Sequence, residues 1–231
     1  HSGPIVDILE IPTLSNCNGV VHPIIGKMFP PPTKNTLVSI GEDGIIKIWS
    51  AWRSGRLNQV AFFLAQPSNL TSSSQSWADS PASKDKTRRS KITSSLVVKG
   101  SRCLIIGYDN GCMQAWELQT DLIDAKGSKS LNGDDKVFLP FWSNQSHIKG
   151  VTSMTAPIVG DYFASASLDG TIMMWTATLL ENLNLPNILL LRSFNLNLPI
   201  RSIKFIAKDR VILASHFEGM TVLKANVRSG V

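Results

Sequence analysis

The stretch FASASLDGTIMMW, residues 163–175, decides the fold. A run of small and apolar residues leads into Asp169-Gly170, a hairpin signal, and an alternating run then ends on Trp175. The same order of parts recurs as LVSIGEDGIIKIW at 37–49 and LIIGYDNGCMQAW at 104–116. A fourth, eroded copy, ILASHFEGMTVLK at 212–224, has Lys224 at the end in place of tryptophan. A unit that repeats is a unit built to be stacked, because one copy cannot bury its own apolar face.

Each copy reads as the central hairpin of a larger sheet. An inner strand candidate precedes every hairpin: 4–11, 92–98, 150–158 and 200–207. An outer candidate follows three of them, at 57–65, 136–142 and 187–194. No segment carries a helical period over twelve or more residues. Trp49, Trp116 and Trp175 lie further apart than the ~40–45 residues of a four-stranded unit, so the surplus is loop. Polar, Pro- and Ser-rich stretches at 12–35, 66–90 and 119–135 supply it.

Composition bounds the rest. The 231 residues are 43% hydrophobic, enough for a sizeable core. No apolar run reaches the length of a membrane span. Cys17, Cys103 and Cys112 are odd in number and lack metal-ligand spacing, so they read as reduced thiols in an intracellular protein, cytoplasmic or nuclear. The sequons at Asn69 and Asn144 have no secretory context, and His22 and His216 stand isolated. The net charge is +6, with Lys84, Lys86, Arg88, Arg89 and Lys91 clustered as a candidate basic patch. That cluster fits either a solvated linker or a surface for phosphate or an acidic partner.

The order of His, small-polar strand, Asp-Gly turn and Trp resembles the WD-repeat β-propeller family. The resemblance implies an all-β fold of about four four-stranded blades, and the C-terminal half of a seven-bladed ring. Blade 1 would span about 1–65, blade 2 about 91–143, blade 3 about 147–195 and blade 4 about 196–231 without its outer strand, with 66–90 a flexible Ser-rich basic linker. In the family a His, a Ser or Thr, the turn Asp and the Trp form one hydrogen-bonded set within a blade. Carried over, the sets are His1, Ser39, Asp43 and Trp49, and His147, Ser165, Asp169 and Trp175. The second copy keeps Trp116 but has Asn110 at the Asp place and no matching His. The fourth has Glu218, Leu196 and Lys224 at the Asp, His and Trp places.

His147, Ser165 and Asp169 are also the residue types of a hydrolase triad. The set recurs, however, and Ser165 lies mid-strand rather than on an exposed sharp turn, so it reads as a structural clamp. No phosphate loop, HExxH or paired cysteines occur, and no catalytic, cofactor or metal site is expected. The expected function is a non-catalytic protein–protein interaction scaffold, a subunit or domain of a larger assembly. The alternative is binding of nucleic acid or acidic lipid headgroups. Loops on a rigid frame carry binding, so the candidate contacts flank the turns: Glu42, Asp109, Lys149, Leu168 and Phe217. The expected partners are other proteins or a further part of its own chain. Ser80-Pro81 reads as a phosphorylation target within the linker.

If Asp169 is the buried centre of a clamp, Asp169→Ala strands its donors. The expected loss is about 1–3 kcal/mol, read as a shift in the urea unfolding midpoint.

Overall fold

A computed structural model describes residues 1–12, 35–51, 57–65, 90–98, 103–117, 140–157, 160–180, 185–206 and 211–225. All but the last residue of the linker 66–90, with Lys84, Lys86, Arg88, Arg89 and Ser80, lies outside the described residues, as do the 119–135 insertion, Cys17, His22, Asn69 and nearly all of the 12–35 loop. The described residues form fifteen strands in four antiparallel sheets and no helix.

The first sheet holds β1 (Ile5–Pro12), β2 (Asn35–Gly41), β3 (Ile45–Ala51) and β4 (Leu57–Leu64) in chain order. The second holds β5 (Ile92–Val98), β6 (Cys103–Tyr108), β7 (Cys112–Glu117) and β8 (Trp142–Gln145). The third holds β9 (Val151–Thr155), β10 (Tyr162–Ser167), β11 (Thr171–Leu180) and β12 (Leu185–Asn195). The last holds β13 (Ile200–Ile206), β14 (Val211–His216) and β15 (Gly219–Lys224), three strands among the described residues.

The sheets stack face to face in sequence. Val38, Ile40 and Ile46 of the first sheet meet Ile92, Leu104 and Ile106 of the second. Ile105, Met113 and Ala115 on the other face of the second meet Phe163, Trp175 and Val151 of the third. Ile172 and Met174 of the third meet Ile200, Ile203 and Ile212 of the fourth. Inner strands contact inner strands, β1 with β5, β5 with β9 and β9 with β13, as a fan about one axis requires. Strands covered on both faces are buried throughout, as in β6 and nearly all of β10. In β13 burial alternates, because among the described residues a sheet lies on one side only.

A bulge repeats at the start of every inner strand. The register skips Val6, Thr93, Thr152 and Arg201 in turn. A bulge re-aims the side chain it carries. The Thr93 hydroxyl donates to Val151 O (2.6 Å) and the Thr152 hydroxyl to Ile200 O (2.8 Å), so each ties its sheet to the next. Val6 has no hydroxyl, and the first sheet is joined to the second instead by Ser95 Oγ donating to Asp7 Oδ2 (2.8 Å).

Two sequence expectations need correction. Among the described residues the outer strand paired with β7 is Trp142–Gln145, which meets the expected 136–142 only at Trp142. That strand is polar, because an outer strand is wet on its edge and need not be apolar. The fourth hairpin is also one residue shorter than the others. Phe163 faces Trp175, Leu37 faces Trp49 and Leu104 faces Trp116, whereas Ile212 faces Leu223. Leu223 therefore fills the tryptophan place, Lys224 falls one position beyond it, and Phe217-Glu218 alone make the turn.

Gly107 marks how closely the second and third sheets approach. A Cβ there would lie 2.7 Å from Val151 Cγ1 and 2.8 Å from its Cβ. Gly107→Ala is expected to cost about 1–3 kcal/mol through overpacking. Adding Val151→Ala should recover part of that loss. A double-mutant cycle that comes out additive would contradict the contact.

Candidate interaction surface

The third sheet contains a continuous chain of hydrogen bonds. Trp175 Nε1 donates to Ser165 Oγ (3.0 Å), and Ser165 Oγ lies 2.8 Å from His147 Nε2. His147 Nδ1 lies 2.8 Å from Thr171 Oγ1, which donates to Asp169 Oδ1 (2.6 Å). Indole N–H is only a donor and carboxylate oxygen only an acceptor, so the chain has one consistent direction. The Ser165 hydroxyl donates to Nε2, and the Nδ1–H of a neutral imidazole donates to Thr171. Asp169 also accepts the N–H of Thr171 on Oδ1 and that of Ile148 on Oδ2, both at 2.8 Å. The loop before β9, the β10–β11 turn and the middle of β11 are thus pinned together.

Burial sets the charge states. It pushes the His147 pKa below the ordinary histidine value, and Asp169 offsets this only in part. Burial also raises the Asp169 carboxyl, but the Thr171 hydroxyl, the N–H groups of Thr171 and Ile148, and His147 outweigh it, leaving that pKa below the usual carboxylate value. The 3.6 Å approach of His147 Nδ1 to Asp169 Oδ2 is accordingly that of a neutral ring to a carboxylate.

The first sheet repeats the set without the threonine. Trp49 Nε1 donates to Ser39 Oγ (2.8 Å), Ser39 Oγ lies 2.8 Å from His1 Nε2, and His1 Nδ1 reaches Asp43 Oδ1 directly at 3.4 Å. Ile45 stands where Thr171 does. Asp43 instead accepts Ser2 N–H (2.7 Å), Ser2 Oγ (3.0 Å) and Ile45 N–H (3.0 Å). Burial raises its pKa, these donors outweigh that, and the net direction is down.

The second and fourth sheets solve the problem differently. Asn110 Oδ1 accepts Cys112 N–H (2.9 Å), which keeps the turn-capping half of the aspartate's work. Ile106 occupies the serine place. Tyr108 hydroxyl donates to Gln114 Oε1 (2.8 Å), both residues fully buried, and burial pushes the phenol pKa far up. His216 and Thr221 hold the matching register positions in the fourth sheet, with Nε2 3.0 Å from Oγ1. Sequence reading missed both pairs, because they differ in residue type and share only a register.

The turns and the loops that bind them form one end of the fan, and the five candidate contacts lie there. Two of them are taken up structurally. Glu42 pairs with Lys91 Nζ (2.7 Å), and Asp109 Oδ1 accepts Lys91 N–H (3.0 Å), so Lys91 joins the first two sheets. Of the basic cluster only Lys91 is described, and it is committed to this role. Lys149, Leu168 and Phe217 are exposed, Phe217 by 68%. Two further residues belong with them. Ile148 is 87% exposed, and Arg201 lays its guanidinium on the Phe217 ring, 3.7 Å from the centroid.

Stacked antiparallel sheets, fanned about an axis and clamped at one end by Trp–Ser–His–Asp sets, define a WD-repeat β-propeller fold. Residues 140–176 match the model described as "WD domain, G-beta repeat", a span that runs from β8 through β11 and includes His147, Ser165, Asp169 and Trp175. In structure the chain is similar to Chaetomium thermophilum Raptor, a WD-repeat protein, at a TM-score of 0.52 and 13% identity over 84% of this chain. The chain spans 15% of that protein's length. No curated protein sequence matches it.

The clamp makes stability depend on pH. The His147 pKa is lower in the folded chain than the ordinary 6.5 it has when unfolded, so the unfolded chain binds more protons as pH falls through that value. Stability should fall as pH drops from about 7.5 to 5.5. His147→Gln should lower stability and flatten this limb, while the Asp169 contribution is lost only nearer pH 4. Ser165→Ala should cost about 2–4 kcal/mol, since Trp175 and His147 each lose a buried partner. Urea melts at several pH values measure all three.

Proposed function

We propose that the chain is a non-catalytic interaction scaffold, a subunit or domain of a larger intracellular multiprotein assembly. The observation that carries this reading is a division of labour at one end of the fan. Every polar group of the third-sheet clamp is committed, and its centre is sealed: Ser165 is 0% exposed and His147 1%. A serine whose hydroxyl is bonded to both an indole and an imidazole beneath the surface has no approach for a substrate. The WD-repeat fold is generally a non-catalytic scaffold. What the same end offers to solvent includes rigidly mounted apolar residues: Ile148, Leu168 and Phe217. Exposed apolar and aromatic residues on fixed turns are the usual anchors of protein contacts.

A further part of its own chain, or a second protein, would also cover the outer sheets. β15 exposes Met220 (70%) and Val222 (64%) on a three-stranded sheet. On the first sheet Trp49 is only half-buried, whereas Trp116 and Trp175 are 4% and 2% exposed.

Replacing Leu168 and Phe217 together by Asp tests the scaffold reading. Partners recovered by cross-linking from the cell should fall at least tenfold, with the thermal midpoint unchanged. Retention of the same partners by the double variant would remove this end of the fan as the contact surface.

A further inference from the structure

We propose that the turns of the third and fourth sheets form a binding site for an extended peptide carrying a carboxylate and an apolar residue a few positions apart. This rests on the scaffold reading and names the chemistry of its ligand.

The site has two parts. On the third sheet, Ile148 and Leu168 are held side by side: Ile148 N–H bonds Asp169 Oδ2 (2.8 Å), and Leu168 N–H bonds Gly150 O (3.1 Å). Both remain exposed, so the clamp presents an apolar step that cannot fold away. On the fourth sheet, Arg201 is the bulge residue that corresponds to Thr93 and Thr152. Those threonines reach across to the next sheet. Arg201 instead lies on Phe217, and the stacked guanidinium keeps its N–H edge available for a carboxylate.

The two parts are fixed relative to each other. Thr152 Oγ1 donates to Ile200 O, one residue before Arg201, and Leu196 N–H donates to Gly170 O beside the third-sheet turn. Stacked sheets pack about 10 Å apart, so three or four extended residues at ~3.3 Å each span from Leu168 to Phe217.

Charge selects the occupant. At the turns of the first two sheets, Lys91 is paired with Glu42. At the last two sheets, among the described residues, neither Lys149 nor Arg201 pairs with a carboxylate. The Asp169 carboxylate is spent on the clamp, and among the described residues Glu218, beside Phe217 in the tight turn, is the exposed carboxylate there. An acidic peptide gains two cations and meets one anion.

The test pans a displayed library of random peptides against the full chain, then measures recovered peptides by fluorescence anisotropy. Acidic peptides with an apolar residue three or four positions away should dominate. Arg201→Gln should weaken them about tenfold or more, Arg201→Lys should restore only part of the affinity, and Glu218→Gln should strengthen binding several-fold. Both residues are exposed, and unchanged thermal midpoints establish that the fold is intact. Enriched peptides without acidic residues, or affinities indifferent to Arg201→Gln, would overturn this inference and leave the scaffold reading standing. Enrichment of nothing, with binding only to anionic vesicles or single-stranded oligonucleotides, would overturn both.

Discussion

The turn end of the third sheet depends on the hydrogen bonds that run from Trp175 through Ser165, His147 and Thr171 to Asp169. Each hydroxyl in the chain donates once within it and accepts once, and the direction is fixed by the two ends, an N–H that can only give and a carboxylate that can only accept. The cost of burying five polar side chains is offset because each has a partner. The result is local rigidity where a β-sheet is otherwise weakest, at its hairpin turns and the loop entering its inner strand. Trp175 adds packing, stacked on Phe163 (centroids 6.1 Å apart) and edge-on to Trp142 of the preceding sheet (5.6 Å). One side chain thus belongs to the polar clamp and to the apolar contact between sheets.

The other sheets show which parts of that solution are needed. The first lacks the threonine relay, and its histidine meets the aspartate directly at 3.4 Å, where the third has a 3.6 Å approach bridged by Thr171. The second keeps the tryptophan and the turn cap but replaces serine by Ile106, sealing the freed space with the Tyr108–Gln114 pair. The fourth keeps only the analogue of that pair, His216–Thr221, in a shortened turn. Packing between sheets persists in all four, whereas the clamp does not. Apolar burial therefore builds the stack, and the clamp refines the geometry of one end.

The sequence made the stack legible and the clamp partly so. The three tryptophans, the turn Asp or Asn, and the glycine after it at φ of 81°, 85° and 87° (Gly44, Gly111, Gly170) all mark fixed places in a repeated hairpin. Thr171 went unnoticed because a threonine opening a strand is ordinary on propensity grounds, and only its distances to His147 and Asp169 reveal a relay. The fourth hairpin was misaligned by one residue because its glycine still followed an acidic residue. A deletion inside a turn shifts register without changing the residue pattern that locates the turn. Arg201 and Ile148 were illegible for a different reason: exposure and a bulge at the second residue of a strand leave no periodic trace.

The same division separates what this end of the fan must conserve in shape from what it is free to present. A buried donor or acceptor that loses its partner costs stability, so Ser165, His147 and Asp169 cannot be altered to suit a ligand. Ile148 and Leu168 sit one residue away from those groups, Phe217 and Arg201 lie on the neighbouring sheet, and all four are exposed. They can change without disturbing the bonds beneath them. A clamp that spends all of its polar capacity inside the sheet is therefore what allows the residues beside it to be chosen for recognition, and it holds them still, which reduces the entropy lost when a ligand binds. A catalytic use of His147 and Ser165 would need the opposite arrangement, with the hydroxyl open and the turn able to move. Between the two, the geometry of residues 147–175 is that of a mount.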